Sequence, residues 1–262
     1  MTTVDFIIAL FCLVDDTLHD NKKHSQAKLY PSEVVTLALL YALTGNGQRA
    51  FWRWLTRDYR DLFPNLPDRT RLFRLFNSHQ HYVDLFLADP SLIGVIDSYG
   101  IELLHPIREG RSDKQIGKKG KSNKRWIVGG KLCYVLNHLG LIVSWACDTA
   151  NVYDGSAFQG LVDDLADEMV IFSDMGFEKQ DWHPTNLRLC KRGEWNVRMV
   201  VETVLSMLTY ICDFKHSRHK VWDYFKTKVG FTMALFNILV QWHGFQSDEN
   251  GFVPLSIAEF SL

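Results

Sequence analysis

After Pro90 the apolar residues fall into short runs rich in Val and Ile, and this pattern restricts the fold more than any other feature of the chain. Three such runs cover residues 92–96, 126–136 and 141–147, with Gly and Asn residues between them. Short β-branched runs bounded by turn residues are typical of strands. Residues 137–140 are expected to form a hairpin turn between the last two strands. The central part of the chain therefore predicts a sheet.

The first part of the chain, residues 1–86, is predicted to be helical. One helix is expected to begin with Ser32 as its N-cap and Glu33 in its first turn, because both can satisfy free amide groups there. Gly45 is expected to end this helix. The helices predicted after it cover residues of about 48–61 and 68–87.

Beyond the first three strands the pattern predicts a helix, a strand, a short strand and two helices. Asp154 is expected to be the N-cap of the first of these helices. The predicted bounds are about 156–166, 168–173, 187–190, 196–212 and 219–242. The order indicates a mixed α/β domain of a sheet flanked by helices at residues 91–244, after an all-helical N-terminal domain at 1–90 and before an irregular tail at 245–262.

The net charge of the chain is −1, but its cations are segregated. Between Arg108 and Arg125 eight Lys or Arg residues stand against two acids, in what is predicted to be a basic loop. This segment indicates either a surface that binds a polyanion or a solvated loop, and the pattern alone favours neither.

The five Cys residues include no Cys-x-x-Cys pair, which is typical of a protein in a reducing compartment. The apolar run at residues 6–14 lacks the basic flank of a signal peptide. The run at 34–43 is too short to span a bilayer. We therefore expect a cytoplasmic protein with no membrane partner.

Three carboxylates occupy positions in the predicted strands and helices that are typical of catalytic residues. Asp97 and Asp174 each follow an apolar run that predicts a strand, and the carboxyl ends of strands are common sites on open sheets. Glu202 interrupts the apolar stretch 200–205 of a predicted helix, where an unpaired charge would be costly. The alternatives are that the Asp residues cap turns, and that Glu202 pairs with Arg198 one helical turn earlier.

Acids on two strands and one helix are what a two-metal site for phosphoryl transfer requires. Carboxylate oxygens suit Mg²⁺ or Mn²⁺. Two such ions activate the attacking oxygen and stabilise the leaving one. The predicted catalytic and metal-binding residues are Asp97, Asp174 and Glu202.

Five short stretches are recognisable along the chain: Val95-Ile96-Asp97-Ser98, Gly129-Gly130-Lys131-Leu132, Thr149-Ala150-Asn151-Val152-Tyr153-Asp154, Ser173-Asp174-Met175-Gly176-Phe177 and Arg198-x-x-x-Glu202-Thr203. In this order they resemble the DDE transposases of bacterial insertion sequences, of the IS-four superfamily and in particular its IS-982 type. The resemblance covers nearly the whole chain. It implies an RNase H-like fold for residues 91–212, cleavage at the ends of a DNA element, and attack of the 3′-hydroxyl on target DNA.

The chain departs from the last motif of this superfamily, which has a Tyr, an Arg, the Glu and a Lys. Trp195 replaces the Tyr and Thr209 replaces the Lys. Trp195 can still stack on a base, but Thr209 cannot contact phosphate as a cation would. Arg198 is therefore expected to carry more of that contact, with Lys215 as a further cation.

Arginines recur along the predicted helix at 48–61 with a spacing that puts them on one face. The resemblance implies that the protein associates with the nucleoid and binds double-stranded DNA as a homodimer. For the arginine face itself, the alternative is a solvated surface with ordinary ion pairs. The predicted DNA-binding residues are Arg49, Arg53, Arg57, Arg60, Arg71, Arg74, Lys118, Lys119, Lys121, Lys124, Arg125, Lys131, Trp195, Arg198 and Lys215.

Two other functions would use much of the same pattern. One is an RNase H-like nuclease that cuts DNA without joining strands. The other is an inactive DNA-binding protein derived from a transposase, which the absence of the motif's Lys would favour.

Overall fold

The computed structural model describes residues 2–122, 125–191, 198–212 and 219–243, with the backbone alone at 198–200, 210–212 and 243. Its N-terminal part is helical, as predicted. A side-chain cap from Thr2 begins the first helix, and Asp68 caps the fourth through the amide of Arg71. The helices are α1 (Thr3–Thr17), α2 (Pro31–Thr44), α3 (Gln48–Asp58) and α4 (Arg69–Ser78), followed by a 3₁₀ helix (Gln80–Phe86).

The start of α2 corrects one prediction. The helix begins at Pro31, a residue whose fixed φ suits the first helical position. The carboxylate of Glu33 accepts a hydrogen bond from the amide of Tyr30 at 2.7 Å. Ser32 is buried inside the first turn and is not the cap. The predicted end of the helix is confirmed, since Gly45 has φ +62°.

The sheet combines antiparallel and parallel pairing, which confirms the predicted mixed α/β fold. Strand β3 pairs antiparallel with β1 along one edge. Along its other edge β3 pairs antiparallel with β2 near its start and with β4 near its end. Strands β5 and β6 continue the sheet beyond β1 in parallel. The strands are β1 (Ile93–Leu104), β2 (Lys118–Ser122), β3 (Arg125–Asn137), β4 (Ile142–Thr149), β5 (Val170–Ser173) and β6 (Leu187–Leu189).

Two local predictions in this region meet different outcomes. The turn between β3 and β4 is confirmed, because Gly140 has φ +79° and its amide donates to the carbonyl of Asn137. The predicted basic loop is wrong in part, because Lys118–Ser122 forms β2, whose backbone pairs with the start of β3. Lys118, Lys119, Lys121 and Arg125 therefore lie on a β-hairpin, whereas Arg108, Arg111 and Lys114 precede it.

The predicted helix at 156–166 is two short helices, α5 (Asp154–Ala157) and α6 (Gln159–Asp163). Tyr153 occupies the N-cap position of α5. Asp154, predicted to be that cap, is the first helical residue, and its carboxylate binds other elements instead. The C-terminal helices are α7 (Arg198–Cys212) and α8 (Trp222–His243).

The core lies on both sides of the sheet. On one side α8 packs with α2, the 3₁₀ helix at Gln80–Phe86 and the sheet, so apolar residues from the N-terminal helices, β3 and α8 share one cluster. The other side is covered by α5 and α6. In the described part of the chain no helix is long and apolar enough to cross a membrane.

Candidate active site

Asp97 lies inside β1, not at the end of a strand as predicted. β1 continues to Leu104 because β3 pairs with it throughout. Its parallel pairing with β5, however, ends at Val95 and Phe172. Asp97 therefore stands two residues beyond the last β5 partner, where β1 is open on that side. Its Oδ1 accepts a hydrogen bond from the Ser98 amide at 2.7 Å.

Asp174 directly follows β5, as predicted. The register that joins Val95 to Phe172 points, two residues further on, to Asp97 and Asp174. Its Oδ1 accepts the amide of Gly176 at 2.8 Å and so begins a short 3₁₀ helix. Asp174 therefore lies just past the strand that pairs with β1, level with Asp97 by register, and both aspartates are partly buried.

Glu202 lies in α7, but the prediction that it interrupts a buried stripe is wrong. The buried residues Val201, Val204 and Leu208 define the face that packs inward, and Glu202 is on the exposed side. The hydroxyl of Tyr134 donates to the carbonyl of Val201 at 3.4 Å. Since Tyr134 pairs with Asp97 across the sheet, α7 is tied to the strand region that holds the first aspartate.

Within the described residues, no three His, Cys, Asp or Glu side chains form a group that could hold a metal ion. Asp97, Asp174 and Glu202 are therefore not gathered into a three-ligand cluster. The two aspartates nevertheless supply neighbouring hard oxygen donors, the type that Mg²⁺ and Mn²⁺ prefer. By donor chemistry this pair fits one side of such a site.

A fourth acid, missed by the sequence analysis as a site residue, lies beside the two aspartates. Asp154 Oδ2 accepts a hydrogen bond from Ser98 Oγ at 2.8 Å. Asp154 Oδ1 lies 2.8 Å from Lys131 Nζ, and both side chains are largely buried. Lys131 also donates to the carbonyl of Val152 at 2.8 Å. Lys131 was predicted to bind DNA, but its ammonium contacts the Asp154 carboxylate and the Val152 carbonyl within the protein.

The negative charge of these acids changes the pKa of two buried residues in β3, Cys133 and Tyr134. Burial, and then the nearby carboxylates of Asp154 and Asp97, raise the pKa of the Cys133 thiol well above its usual value. Burial and Asp97 likewise raise the pKa of Tyr134. Cys133 is therefore a buried thiol whose thiolate form is disfavoured, and the Tyr134 hydroxyl stays protonated and can donate to α7.

The predicted arginine face is exposed, with one change at its end. Arg49, Arg53 and Arg57 are exposed on α3, while Phe51 and Leu55 on its other side are buried. The helix ends at Asp58, so Arg60 lies in the following turn and not on the helical face. Arg57 forms a two-bond ion pair with Asp58, at 2.6 and 2.7 Å. Exposed cations of the next helix are Arg71 and Arg74.

The β2–β3 hairpin presents a second basic surface, with Lys118, Lys119, Lys121 and Arg125 exposed. Lys119 pairs with Glu109 at 2.8 Å. Its ammonium also lies 5.8 Å from the ring centre of Trp126, whose side chain is 58% exposed. Sequence analysis assigned Trp126 only to a strand, and the signal it overlooked was an aromatic residue next to the basic segment.

The remaining predicted DNA contacts cannot be placed by their side chains. Lys124, Trp195 and Lys215 lie outside the described residues, and for Arg198 only the backbone, at the start of α7, is described.

Residues 87–188, less than half of the chain, match the family model of the Transposase DDE domain. That match covers both aspartates and supports a DDE transposase. No curated protein and no solved structure matches the chain.

Proposed function

We propose that the protein is a transposase that cleaves the ends of a DNA element and joins them to target DNA, of the IS-four superfamily and its IS-982 type. The proposal is supported by the register of β1 and β5, which brings Asp97 and Asp174 to the same level, within a segment that matches a transposase DDE domain. We further propose that residues 91–212 form an RNase H-like domain. Four strands in antiparallel pairing, β1 to β4, then a helical segment and two strands parallel to β1 support that assignment.

Asp97 and Asp174 would hold Mg²⁺ or Mn²⁺, two ions in all, with Glu202 as the ligand from α7. When bound, the ions would activate the attacking oxygen and stabilise the leaving oxygen of the scissile phosphate. The contribution of the chain is to keep two carboxylates together at one edge of the pairing between β1 and β5. Glu202, which is exposed on α7, would complete the site.

The exposed cations would bind the phosphate backbone of the DNA on either side of the scissile phosphate. The two basic surfaces are the arginines of α3 with their neighbours in α4, and the β2–β3 hairpin. Phosphate contacts of this kind fix the position of the duplex. We propose residues 1–90 as the domain that recognises element ends, a homodimer as the form bound to DNA, and the nucleoid as its location.

The test compares three single variants with the native protein on duplexes that carry the element end. Asp97→Asn, Asp174→Asn and Glu202→Gln should each abolish Mg²⁺-dependent cleavage. Each should bind the same DNA with native affinity, because the positioning contacts lie elsewhere. The matched control is Asp164→Asn, an exposed acid after α6 that should cut normally.

The same assay separates the proposed function from its alternatives. A supercoiled target plasmid reports strand joining, which a simple nuclease would not perform. Cleavage without joined products would replace transposase by nuclease. Native protein that binds the ends but never cuts them, with either Mg²⁺ or Mn²⁺, would identify an inactive DNA-binding descendant.

A further inference from the structure

The carboxylate of Asp154 is bound from two strands at once. Oδ2 accepts the hydroxyl of Ser98 in β1, the residue after Asp97. Oδ1 pairs with the ammonium of Lys131 in β3. Lys131 in turn holds the carbonyl of Val152, in the turn that precedes α5. The start of α5 is thereby fixed to β1 and β3 at the level of Asp97.

The same residue faces the turn that carries Asp174. A Cβ placed on Gly176 would lie 2.8 Å from Asp174 Oδ1 and 3.6 Å from Asp154 Oδ2, so the two carboxylates flank one glycine. A Cβ on Gly155 would lie 2.8 Å from the carbonyl oxygen of Phe177. The beginning of α5 therefore packs directly on the turn after β5, and at Gly155 this backbone contact leaves no room for a side chain.

We propose that Asp154 is a positioning residue for the metal site formed by Asp97 and Asp174. It links the strand of one ligand, through Ser98, to the turn of the other. Its carboxylate faces Ser98 and Lys131, so its role is to act through these partners and not to bind the metal itself. The inference rests on the proposed function, since it assumes that the two aspartates bind metal.

The experiment measures Mn²⁺ binding to the full chain without DNA, from the electron paramagnetic resonance signal of free Mn²⁺. Groups that orient metal ligands typically change metal affinity by about 10–100-fold when removed. Asp154→Asn should weaken Mn²⁺ binding by at least about tenfold. Ser98→Ala, which leaves the ion pair in place, should weaken it less. The matched control Asp164→Asn should bind Mn²⁺ as the native protein does.

The metal-free melting temperature is recorded for every variant, so that unfolding is not mistaken for lost affinity. If Asp154→Asn fails to fold, Ser98→Ala decides, because it removes only one hydrogen bond. Native Mn²⁺ affinity in folded Asp154→Asn, or in Ser98→Ala when that variant decides, would overturn the inference. A loss in Asp154→Asn as complete as that in Asp97→Asn would also overturn it, because Asp154 would then be a ligand.

Asp97→Asn separates this inference from the proposal beneath it. If Asp97→Asn binds Mn²⁺ normally, the metal site itself is wrong and the proposed function fails. If Asp97→Asn abolishes binding while Asp154→Asn and Ser98→Ala leave it unchanged, the metal site stands and only the positioning role is overturned.

Discussion

The hydroxyl of Tyr134 in β3 donates a hydrogen bond to the carbonyl of Val201 in α7, over 3.4 Å. Tyr134 is the cross-strand partner of Asp97, and Val201 precedes Glu202. The contact therefore fixes the position of α7 along β3, beside the strand that carries the first aspartate. Burial, and then the charge of Asp97, raise the pKa of the Tyr134 hydroxyl, so it keeps its proton and remains a donor even in alkaline solution.

Tyr134→Phe removes this hydrogen bond and leaves the ring in place. The free energy of unfolding should fall by about 1 kcal/mol, the usual net value of one hydrogen bond. The rate of DNA cleavage should fall by more than the small loss of folded protein would explain, because α7 loses a contact next to Glu202. Urea unfolding and a cleavage assay check both, with Tyr30→Phe, at an exposed tyrosine, as the control. Native cleavage would show that α7 is positioned without this contact.

The arginine face of α3 should contribute to DNA binding in proportion to its free charges. Arg49→Ala and Arg53→Ala should each lower the slope of log K against log salt by about 0.9, the value for one phosphate contact. Arg57→Ala should lower it less, because Asp58 already neutralises that guanidinium. Fluorescence anisotropy at several salt concentrations measures the slopes. Unchanged slopes for Arg49→Ala and Arg53→Ala would remove α3 from the interface.

Trp126 should contribute apolar contact to DNA on the β2–β3 hairpin. Trp126→Ala should weaken binding by roughly five- to a hundredfold, as expected for loss of about 1–3 kcal/mol of stacking. The salt slope should stay unchanged because no charge is removed. Trp126→Phe should recover part of the affinity. A change in salt slope, with affinity unaltered at low salt, would contradict a stacking role.

Thr209 stands seven residues after Glu202, on nearly the same side of α7. Its hydroxyl donates to the carbonyl of Leu205 within the helix. Thr209→Lys should leave stability nearly unchanged and raise cleavage, because a cation would join Arg198 in holding phosphate. Arg198→Lys should lower cleavage, since it keeps the charge but loses the guanidinium fork. Normal cleavage by Arg198→Lys, with no effect of Thr209→Lys, would show that the motif is wrongly aligned.

His219 should make the protein less stable in mild acid. Burial, and then the charge of Lys228, lower its pKa from 6.5 to about 4. The ring also contacts the hydroxyl of Tyr41 at 3.3 Å. The unfolded chain therefore binds a proton between pH 6.5 and about 4 that the folded chain does not, so stability falls as the pH drops through that window. His219→Gln should show a smaller loss between pH 7 and pH 4.5 in urea unfolding, and an identical loss would contradict the assignment.

The sequence was a good guide wherever local pattern decides the structure. The Val- and Ile-rich runs became strands, and Asn137 to Gly140 became a hairpin turn. β1 runs on to Leu104 because the long strand β3 pairs with it, which no local pattern reveals. The exposure of Glu202 could have been predicted from the sequence, because the helical spacing of Val201, Val204 and Leu208 places the buried side of α7 away from it.

The partners of Asp154 could not be predicted, because they come from distant parts of the chain. Ser98 lies 56 residues earlier, and no spacing rule joins it to the start of α5. As a helix-start aspartate, Asp154 has the local pattern of a cap. Its actual contacts depend on how α5 packs on the sheet, which is a property of the whole fold.

The most direct test of the metal site is anomalous diffraction at the manganese edge, from crystals grown with Mn²⁺ and an element-end duplex. Two peaks should lie between Asp97 and Asp174, with a carboxylate oxygen of Glu202 within coordination distance of one of them. Mn²⁺ bound elsewhere, or no peak at the two aspartates, would contradict the proposed site.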